Sequence, residues 1–310
     1  MTQVLVSGLI NLETTVQIDQ FPIHYSPVRF PFFGVHASVS GVGYNIAKAL
    51  TRLGDHVRLL SIIGKDPVSD LVKKNLQDER IDGHYIVQSM DQTAQSVILY
   101  DRDGRRQINA DLKDIQDRDY PTNLFEQAIF QSDVAALCNI NFSRQFLEPS
   151  HKAGKMIATD VHAISDLDDR YNKDFMKAAD LLFMSDESLP CAPEEWAQRV
   201  SNRYGNEIIV IGLGAKGALL AVKSDHFLEI IPAIKPEKMV NTIGAGDALF
   251  SCFLHFYAKN KNPYDAIGKA MVFASIKIGS TSAADGFTTE EELMEKVGDQ
   301  KSVINRTLPK

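Results

Sequence analysis

The segment Asn241-Thr242-Ile243-Gly244-Ala245-Gly246-Asp247-Ala248-Leu249-Phe250 runs a glycine-rich turn into an apolar helical pattern, with one carboxylate at the junction. A turn of this kind leaves backbone N–H groups pointing one way. With the positive end of the helix dipole behind them, they form a site for phosphate or a developing oxyanion. The expected donors are the N–H groups of Ala245, Gly246 and Asp247, and Gly244 and Gly246 let a ligand approach the backbone closely. Asp247 stands where a general base would meet an alcohol attacking that phosphate. Taken alone, the same residues also fit a plain turn with Asp247 as a helix cap.

Three further segments bear on this chemistry. Ser40-Gly41-Val42-Gly43-Tyr44-Asn45-Ile46-Ala47 places an amide at a helix start, and an amide both donates and accepts, as a polyol requires. Its competing role is to satisfy its own turn. Ile211-Gly212-Leu213-Gly214-Ala215-Lys216-Gly217-Ala218 follows a buried strand pattern at Ile208 to Ile211. A glycine loop in that place lets backbone N–H groups meet phosphate or ribose. It is not a Walker loop, because G-x-x-x-x-G-K-[ST] is absent. Lys216 reads as a solvated loop lysine. Near the start, Gly8-Leu9-Ile10-Asn11-Leu12-Glu13 carries two polar side chains after a short strand.

In order and spacing these four segments resemble the ribokinase, or PfkB, family of carbohydrate kinases. The family's patterns are G-x-I-N-x-D, G-G-x-G-x-N-x-A, T-x-G-x-x-G and D-T-x-G-A-G-D. The resemblance implies an ATP-dependent kinase acting on a primary hydroxyl of a small sugar. Asp247 would be the base, and Gly244, Ala245 and Gly246 the anion hole. Sugar contacts would come from Asn11, Glu13, Gly41, Gly43 and Asn45, with Gly43 keeping the helix start open for the ring. Nucleotide contacts would come from Gly212, Gly214, Gly217, Thr242 and Lys277, with Phe273 and Ala274 beside the adenine. Magnesium would be held at Ser185-Asp186-Glu187-Ser188, chiefly through Glu187, with Asp160 as another candidate. The family's potassium site, where present, lies near Asn241, Ile243 and residues 278–287, and here Asn241 replaces its aspartate. Glu13, Ser40 and Gly212 also depart from the family pattern. A nucleoside kinase of pseudouridine or adenosine type is the runner-up, and a catalytically weak binding protein on the same scaffold is the rival from another class. A sugar phosphate is less favoured, since no clear cationic pair lies beside the substrate segments, Arg105 and Arg106 of the lid excepted.

The elements that must position these residues are legible as a rhythm. Short apolar runs at Val4–Val6, His56–Ile63, Val134–Leu137, Met156–Ala158, Leu181–Met184 and Ile208–Ile211 alternate with helical patterns. That rhythm predicts a parallel sheet wrapped by helices on both faces. Two regions break it, at about residues 14–36 and 95–109, the second with a hairpin signal at Asp103-Gly104. They are expected to pair as a small β lid. The whole chain is thus expected to be one α/β kinase domain over residues 1–310: a three-layer sandwich with a mostly parallel central sheet and a lid. By resemblance the lid would also join a homodimer. The last residues, about 297–310, are polar and expected to fray.

Composition fits these expectations. The chain has 310 residues, 44% of them hydrophobic, which supports a full core. A net charge of −7 argues against a nucleic-acid surface. No run reaches the roughly 20 apolar residues needed to span a bilayer, and the start does not read as a signal peptide. Cys138, Cys191 and Cys252 lack ligand or disulfide spacing, so a reducing cytoplasm is expected. The helix after Asp247 contains Ser251 and His255 and reads as core. His36 and His162 have no partner at ligand spacing and read as structural or solvent-facing.

Overall fold

The computed structural model describes residues 1–304. Nine strands form one sheet, in spatial order β13 (Phe227–Ile231), β12 (Ala218–Val222), β11 (Ile208–Gly212), β10 (Leu181–Ser185), β9 (Met156–Ala163), β8 (Val134–Leu137), β1 (Gln3–Ser7), β4 (His56–Gly64) and β5 (Ile86–Met90). Every neighbouring pair from β11 to β5 is parallel, and β12 and β13 extend the sheet antiparallel. The side-chain alternation of each strand feeds two cores. Val4 and Val6 of β1 pack on one face with Ala248, Phe253 and Phe273, whereas Leu5 packs on the other with Phe125, Phe146 and Trp196. Each such buried aliphatic side chain stabilises the fold by about 1.5–3 kcal/mol, which is why the central strands are apolar on both sides. The three-layer α/β architecture expected from the rhythm is present.

A second sheet has the order β3 (Val35–Ser40), β2 (Asn11–Gln17), β6 (Gln95–Tyr100) and β7 (Arg106–Asp111). Asn11 pairs with Ser40, Leu12 with Gln95, and Gln95 with Asp111 at one end. Val16 pairs with Val35, and Tyr100 with Arg106, at the other. The two irregular sequence regions do pair, but with shifted boundaries. Residues 18–34 form a loop, because Pro22, Pro27 and Pro31 cannot donate to a ladder. Strands β5, β12 and β13 add to those the apolar runs announced. The helix Glu290–Ile304 covers the described part of the stretch expected to fray, and residues 305–310 lie outside the described residues. No helix among the described residues is long and apolar enough to cross a membrane.

Candidate active site

Asp247 lies in the first turn of the helix Ala245–Asn260, and Gly244 precedes it at φ 78°. The N–H of Ala245 donates to Thr242 O at 3.2 Å, so this expected anion donor is committed to the turn. The N–H groups of Gly246 and Asp247 have no backbone acceptor among the described residues. The two glycines differ in use. A Cβ on Gly244 would lie 2.6 Å from Ala283 O, so close backbone packing requires glycine there. A Cβ on Gly246 would meet nothing within 4 Å, so the turn opens to space at that residue.

Three polar side chains lead to Asp247 in series, and Asn11 stands apart from them. Asn45, in the first turn of the helix Val42–Arg52, donates from Nδ2 to Asp247 Oδ2 at 2.7 Å. Ser40 Oγ lies 3.2 Å from Asn45 Oδ1 and 3.1 Å from Glu13 Oε2, with one proton to donate to either. Glu13 Oε1 accepts from the Ala283 N–H at 3.3 Å. Asn11 Nδ2 donates to Ser96 Oγ at 3.0 Å, while its Oδ1 is buried with no hydrogen-bond partner among the described residues. Burial pushes the Asp247 carboxyl up to about 6, against the opposing pull of the Asn45 hydrogen bond and the Lys277 charge. Burial also raises Glu13, which its Ala283 and Ser40 hydrogen bonds oppose.

Several residues sit differently from expectation. Gly43 does not open room for a sugar ring. A Cβ there would lie 2.5 Å from the Gly8 carbonyl carbon, so its glycine lets the helix lie directly on the β1–β2 connection. Gly41, at φ 106°, would place a Cβ 2.5 Å from Leu9 O. Gly217 is likewise set by packing, since a Cβ would fall 2.0 Å from Ile231 O. Gly214 has nothing within 4 Å and Gly212 only Met184 O at 3.7 Å, so these two face open space after β11. Phe273 belongs to the core and stacks on Phe287. Lys277, expected at the nucleotide, is fully buried, and its ammonium points inward to protein oxygens.

Sequence reasoning gave little weight to two features near the turn. Arg106 of β7 donates to Thr242 Oγ1 at 3.2 Å and to Glu187 Oε1 at 2.9 Å, so one guanidinium spans the turn and the end of β10. Its only sequence signal was a pair of arginines at a hairpin turn. His162, at φ 57°, donates its N–H to Asp160 Oδ1 at 2.8 Å, and both residues act electrostatically on Asp247. No group of three or more His, Cys, Asp or Glu among the described residues could hold a metal on its own.

The arrangement puts a carboxylate near neutrality beside free N–H groups at a helix start, which is what alcohol phosphorylation needs. A family model described as pfkB family carbohydrate kinase matches residues 1–290. The chain belongs to that family. This pfkB kinase is an ATP-dependent phosphotransferase with an alcohol group as acceptor, a sugar kinase by family. It is 24% identical over 294 residues to an ATP-dependent ribose-1-phosphate kinase of Halopiger xanaduensis, covering 94% of this chain and 96% of the relative. It is 26% identical over 314 residues to a ribokinase of Lactococcus lactis, covering 96% and 97%. Among solved structures, a microbiome-derived acarbose kinase superposes with a TM-score of 0.86 at 23% identity, over 96% of this chain and 99% of that one. That likeness concerns the fold.

Proposed function

We propose that this pfkB kinase transfers the γ-phosphoryl group of ATP to a primary hydroxyl of a small neutral sugar, with Asp247 as base. The single observation that carries this reading is the 2.7 Å contact between Asn45 and Asp247, residues 202 positions apart. It brings the polar substrate segment and the glycine turn to one place. The acceptor oxygen attacks the γ-phosphorus, and its proton passes to the free carboxylate lone pairs of Asp247. The bond from that phosphorus to the β–γ bridging oxygen breaks, and ADP leaves. The N–H groups of Gly246 and Asp247, with the dipole of a 16-residue helix behind them, stabilise the charge on the peripheral phosphoryl oxygens.

The neutral character of the substrate follows from charge. Glu13 and Asp247 are both buried carboxylates, joined through Ser40 and Asn45. A second anion on the sugar would be repelled there, whereas a hydroxyl would satisfy Asn11 Oδ1, a buried acceptor without a donor among the described residues. ATP would lie along Gly212 and Gly214 toward Thr242. Magnesium fits a site of few protein ligands, since it usually keeps several waters and takes one or two carboxylates plus phosphates. Glu187, just after β10, would hold it, with Asp160 on the neighbouring strand β9, and it would supply charge neutralisation of the phosphates.

The second sheet would cover the sugar and join two copies of the chain. Val35, Val97 and Ile108 on its strands are exposed, and so are Tyr25, Phe30, Phe32 and Phe33 in the preceding loop. A homodimer would cover this apolar surface. A cytoplasmic location suits the free cysteines. The deciding experiment is ATP turnover over ribose, fructose, adenosine, pseudouridine and sugar phosphates with magnesium present. Turnover of a neutral sugar is expected. Preference for a nucleoside or a sugar phosphate overturns the substrate class, and binding without turnover overturns the kinase reading. Light scattering on the purified protein tests the dimer.

A further inference from the structure

Lys277 ends the helix Pro263–Lys277 and has no exposed surface at all. Burying an ammonium is costly unless every donor is met. All three are met here, and by oxygens that matter. Nζ donates to Ile243 O at 3.1 Å, Ser282 O at 2.8 Å and Ser280 Oγ at 2.9 Å. Ile243 O belongs to the glycine turn, one residue before Gly244. The Lys277 stem supports that turn from beneath, since a Cβ on Gly244 would lie 3.1 Å from its Cε.

The other two acceptors belong to the loop that follows the helix, and this loop reaches the substrate side. Ala283 N–H holds Glu13, and Ser282 Oγ lies 2.8 Å from Ser38 Oγ on β3. Asn241 adds a neutral strap, donating to Thr281 O at 2.9 Å and accepting from Ile243 N–H at 3.0 Å. Carbonyl and hydroxyl oxygens are the donor type a monovalent cation takes from a protein, and this cage holds three of them. In this chain a covalently attached ammonium sits in it.

We propose that Lys277 is a positioning residue whose ammonium acts as a resident cation, fixing the Gly244–Asp247 turn to the 280–285 loop so that turnover needs no added monovalent ion. This rests on the kinase reading above. The charges that face the ammonium are Asp247 on its own side of the turn, Asp285 in the loop, Glu13 on β2 and Lys48 on the helix Val42–Arg52. Burial pulls the Lys277 ammonium down to about 8, with Asp247, Asp285 and Glu13 opposing. The cation is therefore present below that pH and lost above it.

The test compares the wild-type protein with Lys277→Ala in choline, sodium, potassium and ammonium chlorides at constant ionic strength. Rates are measured on the best acceptor of the sugar panel, thermal melting is followed in the same salts, and crystals are soaked in rubidium chloride. The wild type is expected to give one rate and one melting temperature in all four salts, with no rubidium in the cage. Lys277→Ala is expected to lose roughly 10–100-fold in kcat through misplacement of the turn. Potassium or ammonium, but not choline, should restore part of that rate and raise the melting temperature. Anomalous density for rubidium should then lie among Ile243 O, Ser282 O and Ser280 Oγ. A variant with full kcat, or one destabilised in every salt without rescue or rubidium density, overturns the proposal. Should the variant fail to fold, the wild type decides: potassium-dependent rates or rubidium in its cage sink the idea, and salt-independent rates with an empty cage uphold it. Should no acceptor turn over, the kinase reading fails, while rubidium density and melting still decide the cation.

Discussion

Two buried aspartates meet the same helix, and only one keeps the free acceptor capacity that the proposed base requires. Asp247 lies in the first turn of Ala245–Asn260, and its carboxylate takes a neutral amide donor, Asn45, 202 residues away. Asp55 meets the same helix two turns later. Its Oδ2 lies 2.6 Å from His255 Nδ1, and both side chains have no exposure. Asp55 Oδ1 also accepts from the Thr2 N–H, and His255 Nε2 lies 3.4 Å from Glu290 Oε2. The second carboxylate is therefore enclosed by ionisable and backbone partners and serves packing. The first keeps lone pairs free next to a glycine that opens to space. Burial is common to both, so burial does not single out the proposed base. The unfilled hydrogen-bonding capacity does.

The sharpest way to break this contrast is to remove each acid in turn. Asp247→Asn should keep the fold and lower kcat by roughly 10²–10⁴, the scale of a lost general base. Near-normal steady-state rates would remove Asp247 from that role. Asp55→Ala should do the reverse. It strands His255 in the core and should cost about 3–5 kcal/mol in urea unfolding, as breaking a buried pair does, with kcat per folded molecule retained.

Smaller effects sharpen the picture. Asn45 holds the Asp247 carboxyl down against burial. Asn45→Ala should therefore move the acid limb of kcat/KM upward by about one pH unit, the equivalent of one hydrogen bond to a charge. A limb that stays put would show that this limb is not governed by Asp247. Stability should follow the same group with a defined sign. Burial raises its carboxyl to about 6 in the fold against an ordinary 3.8, so between those values the folded chain holds a proton the unfolded chain releases. The group favours folding at low pH, and that contribution is lost as pH rises through about 6. Melting curves of Asp247→Asn should lack this slope. The smallest effect is expected at the exposed Lys74–Asp78 pair, 2.7 Å apart on a helix surface. Lys74→Ala should change stability by less than about 0.5 kcal/mol.

The sequence made the glycine turn legible because its features are local: glycines, a carboxylate and a helix start are neighbours in the chain. The central strands were legible for the same reason, as runs of apolar residues buried on both sides. Gly43 was misread because its reason lies at Gly8, and no local pattern announces a contact between two backbones 35 positions apart. Lys277 looks like an ordinary basic residue at a helix end, where the dipole alone would favour it. Only the fold of the loop that follows turns it inward. The strand limits of the second sheet were blurred because aromatic and β-branched residues continue into a proline-broken loop.

That second sheet has a mechanical property that follows from its register. All four strands connect to the rest of the chain at one edge, through Asn11, Ser40, Gln95 and Asp111. The opposite edge carries Arg106. At ~3.3 Å per residue, five steps put Arg106 about 17 Å from the hinge line, and a swing of ~10° displaces it by about 3 Å. Asn11 and Ser40, lying on the axle, would scarcely shift. A sheet turning about that line would release Thr242 and Glu187, and part Tyr100 from Ile243, at its tip while keeping its grip at the root.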